Sequence, residues 1–281
     1  MSGKIRFAVI GWPVAHSRSP QMQNAALRAL GINGEYTALE VAPGQLPEAV
    51  ARMRSEGYAG WNVTVPHKEE IIPLLDEVAG EEARAARSVN TVLNRNGRLL
   101  GYSTDGYGVE MALKKEFGFR IMPERQLYIG TGGAAKAAAV YAARHGAGHI
   151  VLANRTPENA EKLAAIIRVA APQCRVEVIT LAPDEKMRRT LEMVDILFQC
   201  TSLGLHAGDP EPIPAEIVPC RLPVYDFVYT PSAFRTKLTA QGNPVADGTE
   251  MLVQQGAKSM EIWTGIMPSA EIMRTALKNG G

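Results

Sequence analysis

The chain has 281 residues, 46% hydrophobic and 21% charged, the proportions of an ordinary folded protein rather than a disordered or fibrous one. Its 30 Lys and Arg against 29 Asp and Glu leave a formal charge of +1, so nothing electrostatic points to nucleic acid or an anionic membrane as a partner. The three cysteines (Cys174, Cys200 and Cys220) are widely spaced and form no CxxC, which argues for reduced cytosolic thiols rather than a disulfide framework or a zinc site. No metal is expected: His145 and His149 stand four apart, but Gly146 and Gly148 break any helix between them. The opening MSGKIRFAVIGWP has too short an apolar run for a signal peptide, and no stretch reaches the ~20 apolar residues that span a bilayer. The expectation is a soluble, cytoplasmic protein.

In chain order, IRFAVIG (5–11) reads as a strand, and SPQMQNAALRALG as a helix with Ser19 as N-cap, Pro20 at the first helical position and Gly31 as its stop. EYTALEV (35–41) is a second strand and GQLPEAVARMRSEG a second helix. AGWNVTV (59–65) and VNTVLN (89–94) are further strands. This βαβα rhythm predicts a largely parallel sheet with helices on its faces. A helix after Asp105, in GYSTDGYGVEMALKKEFG, bridges to a second series. There RQLYIG is a strand, GGAAKAAAVYAARHG a helix, GHIVLANR a strand and TPENAEKLAAIIRVA a helix, followed by strands in CRVEVIT, VDILFQCT and LPVYDFVY. DGTEMLVQQGAKSMEIWTG and MPSAEIMRTALKNGG close the chain as two helices. Two α/β domains with a cleft between them are expected, and such clefts are where ligands sit.

LYIGTGGAAKAAA places Gly130, Thr131, Gly132, Gly133 and Ala134 between a strand and an alanine-rich helix. Glycines let the backbone approach a pyrophosphate, and the helix start points N–H groups and its positive dipole end at that anion. The pattern departs from G-x-G-x-x-G, with Ala134-Ala135 where the last x-Gly would stand; an unliganded glycine-rich turn is the competing reading. At the end of the next strand, Asn154, Arg155 and Thr156 stand where NAD sites usually carry an acidic residue. A carboxylate would repel a 2′-phosphate and a guanidinium pairs with it in a fork, so NADP is expected over NAD. Arg155 as a surface arginine, with Thr156 only capping the helix before Pro157, is the alternative.

Polar residues also gather at the strand ends of the first half. Ser17 and Ser19 stand just before a helix, as a carboxylate cradle or with Ser19 merely as a cap. Asn62 and Thr64 share one side of a strand that Lys68 follows; Asn90 follows the next strand, and Asp105 lies between Thr104 and Gly106. Open α/β sheets bind ligands outside the carboxyl ends of their strands.

These segments resemble, in order, the motifs of the shikimate dehydrogenase family, the NADP-linked enzymes of aromatic amino-acid biosynthesis that interconvert 3-dehydroshikimate and shikimate. GWPVAHSRSP is similar to the family's G-x-P-x-x-H-S-x-S-P, NVTVPHKE to its catalytic segment, VNT to its substrate asparagine and STDGYG to its T-D-G-x-G. GTGGAAKA resembles the cofactor turn, NRT the phosphate clamp and DGTEMLVQQGAKSMEIWTG the closing helix. The likeness covers nearly the whole chain. It implies a mostly parallel α/β substrate domain at 1–105, completed by C-terminal helices at 248–281, a Rossmann-like NADP-binding domain at 106–247, and an active site in the cleft between them.

The resemblance also implies roles. Ser17 and Ser19 would hold the substrate carboxylate with Tyr229 near it. Thr64, Asn90 and Gln255 would bind the ring hydroxyls, and Asn62 would support the pocket. Lys68 and Asp105 would form the acid–base pair. Thr201, Ser202 and Gly248 would join the coenzyme turn and clamp. Taking a hydride from a secondary alcohol leaves a proton for a general base, and in reverse the same group returns it; a lysine beside an aspartate suits that, and its ammonium also stabilises charge on the oxygen. The chain departs from the family at Gln23 (commonly His), Ser103 (Asn), Gln199 (Asn), Leu205 (Met) and Phe234 (Thr). Other readings stand: a quinate or mixed quinate/shikimate dehydrogenase, an aminoshikimate dehydrogenase, and a catalytically weak dinucleotide-binding sensor. The partners expected are a small-molecule substrate and coenzyme, with no nucleic acid or membrane, acting as a monomer or homodimer.

Overall fold

The computed structural model describes residues 3–206 and 208–279. The chain runs β1 (Ile5–Gly11), α1 (Ser19–Ala29), β2 (Gly34–Glu40), α2 (Leu46–Ser55), β3 (Gly60–Val63), β4 (Glu77–Val78), α3 (Glu81–Ala86), β5 (Thr91–Arg95), β6 (Arg98–Tyr102) and α4 (Asp105–Phe117). It continues through β7 (Arg125–Ile129), α5 (Gly133–Arg144), β8 (His149–Asn154), α6 (Pro157–Ala170), β9 (Arg175–Thr180), α7 (Glu185–Met193), β10 (Ile196–Gln199), β11 (Val224–Asp226), α8 (Ala233–Ala240) and β12 (Val245–Asp247). It ends with α9 (Thr249–Thr264) and α10 (Ala270–Lys278). Two compact units emerge: Met1–Val109 with Glu250–Gly281, and Glu110–Thr249. No helix among the described residues is long and apolar enough to cross a membrane.

The first unit holds a six-stranded sheet ordered β2-β1-β3-β5-β6-β4. β1 pairs in parallel with β2 and β3, and β4 with β6; β5 runs against both β3 and β6. The segment at 89–94 is therefore the reversed strand of a mostly parallel sheet. Its reversal is local chemistry. Asn96 and Gly97 both take positive φ, 54° and 89°, as a two-residue primed turn requires, and the hairpin they close creates β6.

The start of α1 also differs from expectation. Arg18, not Ser19, occupies the N-cap position, with φ −85° and ψ −4°, so Ser19 is already the first helical residue. The Oγ of Ser17 accepts a hydrogen bond from the Ser19 N–H at 3.3 Å and takes over part of the capping expected of Ser19.

β1 alternates its side chains between two apolar layers. Ala8 and Ile10 pack with Leu46, Val50 and Met53 of α2. Phe7 and Val9 pack with Met22 and Leu27 of α1, Val253 and Met260 of α9, and Met273 of α10. Trp263 of α9 lies over Gly60, where a Cβ would come within 2.3 Å of its Nε1, and that N–H donates to Val92 O at 2.9 Å. Arg274 of α10 makes a two-pronged bond to buried Glu250, both contacts at 2.9 Å.

The second unit holds a parallel sheet ordered β12-β11-β10-β7-β8-β9, the strand order of doubly wound dinucleotide-binding folds. α7, α8 and β12 are additions to the elements read from the sequence. α7 is strongly polar, and only Met187, Thr190 and Leu191 are buried; Asp184 caps it by accepting from Met187 N at 2.9 Å. Its nine residues are mostly charged or polar and carry too little apolar content to be read as a packed helix, although the few apolar ones share a face, and the cap is the clearer local signal.

Candidate active site

The turn after β3 is fixed before it presents any chemistry. His67 is fully buried; its Nε2 lies 2.7 Å from Val41 O and its Nδ1 2.9 Å from Glu70 Oε2. The carbonyl of Lys68 accepts from Val89 N at 2.8 Å, tying the lysine backbone to the segment that enters Asn90. Lys68 Nζ then donates to Asp105 Oδ2 at 2.6 Å, with the two side chains only 13% and 6% exposed. Asp105 is the first residue of α4, where the helix dipole favours a carboxylate. Asn90 Nδ2 donates to its other oxygen, Oδ1, at 2.8 Å. Both oxygens of Asp105 are thus held, and an ammonium with three donors gives one to it among the described residues.

A buried polar network stands behind the pair. Asn90 Oδ1 accepts from Thr104 N and Thr91 Oγ1, each at 2.9 Å, while its Nδ2 also donates to Thr104 Oγ1 at 2.9 Å. Asn62 Nδ2 donates to Ser259 Oγ at 2.9 Å and Asn90 O at 3.0 Å, and Asn62 Oδ1 accepts from Tyr36 OH at 2.7 Å. Burial pushes the Tyr36 phenol well above its usual value, so it acts as a donor. Tyr36, Thr91 and Ser259 belong to this candidate-site network and were missed by sequence reasoning. The available signal was Ser259 standing four residues after Gln255 on one face of α9.

Gln255 joins from α9, with Oε1 3.4 Å from Asn90 Nδ2 and Nε2 donating to Leu252 O at 2.9 Å. Gly108 makes that approach possible: a Cβ there would sit 2.9 Å from both Gln255 Cβ and Met251 O. Thr64 is half-buried against Gly11, where a Cβ would meet its Cγ2 at 2.3 Å. Ser17 is half-buried and Ser19 buried at the start of α1. Among the departures from the family pattern, Gln23 is fully buried and donates to Gly256 O at 3.0 Å, while Ser103 is half-buried just before Thr104.

In the second unit, Gly130 has φ +89° and its N–H donates to Ala153 O at 2.8 Å. A Cβ there would press on Thr201 at 2.9–3.0 Å, whereas a Cβ on Gly132 would meet nothing within 4 Å. Gly130 is glycine because the chain is crowded and φ is positive; Gly132 opens space at the N-terminus of α5. Thr131, Gly133 and Ala134 complete a half-buried rim. Asn154 Nδ2 donates to Thr156 O at 2.8 Å and shapes the corner after β8; Arg155 is exposed, and Thr156 stands at the N-cap without a side-chain capping bond. This arrangement fits a phosphate-bearing dinucleotide: amides and open room at the turn, and a guanidinium at the next corner. Ser202 is exposed, Tyr229 is half-buried after β11, and Gly248 is buried where a Cβ would lie 2.3 Å from Phe227 O.

Asp226, at the end of β11, is 1% exposed, and burial pushes its carboxyl from 3.8 up to about 6. Its folded value lies above the unfolded one, so this carboxyl binds its proton more tightly in the native state. Stability is therefore lost as pH rises from about 4 through 6 and stays lost above. The shift corresponds to up to about 3 kcal/mol. Asp226→Asn is expected to be more stable than the parent in urea at pH 8, with the difference vanishing near pH 4. A pH-independent difference would contradict this.

Three family models match the chain: the shikimate dehydrogenase substrate binding domain at residues 9–92, the shikimate/quinate 5-dehydrogenase at 111–206 and the shikimate 5′-dehydrogenase C-terminal domain at 248–278. A shikimate dehydrogenase (NADP(+)) of Symbiobacterium thermophilum is 40% identical over 273 residues, 95% of this chain and 92% of that one. The Thermus thermophilus shikimate 5-dehydrogenase, solved with NADP(H) and shikimate, superposes with a TM-score of 0.86 at 35% identity, covering 98% and 99% of the two chains. A quinate dehydrogenase from Corynebacterium glutamicum, solved with NAD, gives a TM-score of 0.89 at 25% identity, covering 99% and 100%.

Proposed function

The chain belongs to the shikimate dehydrogenase family, and from that premise we propose that it catalyses the reversible NADP-dependent reduction of 3-dehydroshikimate to shikimate, the first unit holding the substrate and the second the coenzyme. The observation that carries the chemistry is the 2.6 Å contact between Lys68 and Asp105, with Asn90 on the other carboxylate oxygen.

The coenzyme, when bound, donates a hydride to the ketone carbon or accepts one from the alcohol. This chain's residues manage the rest. Lys68 hydrogen-bonds the reacting oxygen, stabilises the negative charge that develops there and supplies the proton; in the alcohol-oxidising direction it takes that proton back. Asp105 holds Nζ in one direction, and Asn90 holds Asp105. Ser17 and Ser19 bind the substrate carboxylate at the start of α1. Thr64, Asn90 and Gln255 bind the ring hydroxyls, and Asn62 braces Asn90 from behind.

Gly130 to Ala134 hold the pyrophosphate, Asn154, Arg155 and Thr156 hold the 2′-phosphate, and Thr201, Ser202 and Gly248 line the remainder. Arg155→Ala is expected to raise KM for NADP by about 10–100-fold while changing NAD kinetics little, the effect of losing a charge-assisted fork. Comparing kcat/KM for both coenzymes checks it; an unchanged NADP preference would remove Arg155 from this role.

The overall test is absorbance of the reduced nicotinamide with purified protein, shikimate or quinate, and NADP+ or NAD+. Turnover of shikimate with NADP+ is the expected result. Coenzyme binding without turnover of either substrate would overturn the proposal in favour of a sensor, and faster turnover of quinate would move the substrate assignment. The reading needs only the small-molecule pair as partners, in the cytoplasm; a monomer and a homodimer both fit, and light scattering separates them.

A further inference from the structure

The loop after β10 is built on a single side chain. Gln199 is 1% exposed, and its amide faces the chain that follows it. Oε1 accepts from Thr201 N at 2.7 Å and from Thr201 Oγ1 at 2.8 Å, and Nε2 donates to Leu203 O at 3.0 Å. Thr201 Oγ1 in turn accepts from Leu203 N at 3.1 Å. A glutamine here does what a shorter Asx side chain does in an Asx-turn, and its extra carbon reaches two residues further.

What Gln199 holds is in contact with the glycine turn. Thr201 N and Cγ2 lie where a Cβ on Gly130 would be 3.0 and 2.9 Å away, so Thr201 forms the wall against which Gly130 turns. The far end of the loop is fixed separately: Thr230 Oγ1 donates to Gly204 O at 2.9 Å and Asp209 Oδ2 accepts from Gly204 N at 2.9 Å. Behind Gln199 lies Asp226, whose Oδ1 accepts from Val228 N at 3.0 Å and stands 3.4 Å from Gln199 Nε2. Leu203 and Thr201 thus depend on one buried amide, and Gly130 depends on Thr201.

We propose that Gln199 is a positioning residue for the coenzyme: by holding Thr201 against Gly130 it sets the shape of the glycine turn and so the affinity for NADP(H). This rests on the reading that the second unit binds NADP. The Gln199 amide reaches its own loop and Asp226 behind it, so its effect falls on coenzyme binding and not on Lys68 chemistry.

Gln199→Met keeps the length of the side chain and removes its hydrogen bonds to the loop. It is expected to raise the NADPH dissociation constant, measured by fluorescence titration, at least about tenfold. kcat at saturating coenzyme and KM for shikimate should stay within about twofold of the parent. Gln199→Asn restores the bonds to Thr201 and should recover most of the affinity. Unchanged NADPH binding by a folded Gln199→Met protein would overturn the proposal. So would a loss spread equally over coenzyme affinity, kcat and shikimate KM, which marks a merely structural role. If Gln199→Met does not fold, Thr201→Val decides: it keeps the shape and loses the Oγ1 bonds, and a parent-like dissociation constant would again refute the idea. A parent protein that binds no NADPH would instead defeat the reading of the second unit on which this one depends.

Discussion

Lys68→Ala should lower kcat by ~10²–10⁴-fold and leave KM for shikimate nearly unchanged, the cost of losing a positioned acid–base group. The contact at 2.6 Å from Asp105, in surroundings where both side chains are nearly buried, is why the effect should be large. Water has little access to substitute for the ammonium, and the charge developing on the substrate oxygen would lose its nearest donor. The change should not disturb binding of the ring, because Ser17, Ser19, Thr64 and Gln255 stay where they are. Lys68→Arg separates the two jobs of the group. Arginine keeps the charge and cannot give up its proton, so an acid–base role predicts turnover as low as in the alanine variant. Turnover near the parent level in Lys68→Ala would remove Lys68 from the chemistry.

Arg274→Ala should destabilise the first unit by about 3–5 kcal/mol, the range for stripping one partner from a buried ion pair. Glu250 is 3% exposed, and both of its carboxylate oxygens accept from this guanidinium at 2.9 Å. The pair clasps α10 to α9, the helix that carries Gln255 and Ser259 to the buried network around Asn62 and Asn90. The measurable result is a lower urea midpoint, together with loss of activity at denaturant concentrations the parent tolerates. A midpoint shifted by less than about 1 kcal/mol equivalent would show the clasp to be an exposed, screened pair in solution.

How much of the fold and the site is legible in the sequence depends on range. β1, α1, the glycine turn and α9 announce themselves through local pattern, to within a few residues. The hairpin at Asn96-Gly97 is equally local, yet VNTVLN reads as one more parallel strand unless the dipeptide is weighed as a turn. Residue type alone gives Ser19 the cap, whereas the Arg18 backbone shifts that position by one and Ser17 supplies the hydroxyl. Tyr36, Thr91 and Ser259 are out of reach for another reason: Ser259 lies 197 positions from Asn62 and 168 from Thr91, and no local pattern encodes such a meeting. Lys68 and Asp105, 37 apart, each stand out at a strand end, but they are joined as a pair only through the motifs they share with a family.

The first unit is written in two instalments, with the second unit inserted between them. During synthesis the strands of its sheet emerge early, but the indole that lies over Gly60 comes 171 residues after the Val92 carbonyl it bonds, and the Leu277 carbonyl that accepts from Arg18 comes 259 residues after that arginine. The inserted Glu110–Thr249 unit can therefore close on the ribosome before the segment ahead of it has its covering helices. A nascent chain halted before α9 would carry Lys68, Asn90 and Asp105 in full and still lack the serine and glutamine that complete the network behind them, so the unit that begins the chain is the last to become itself.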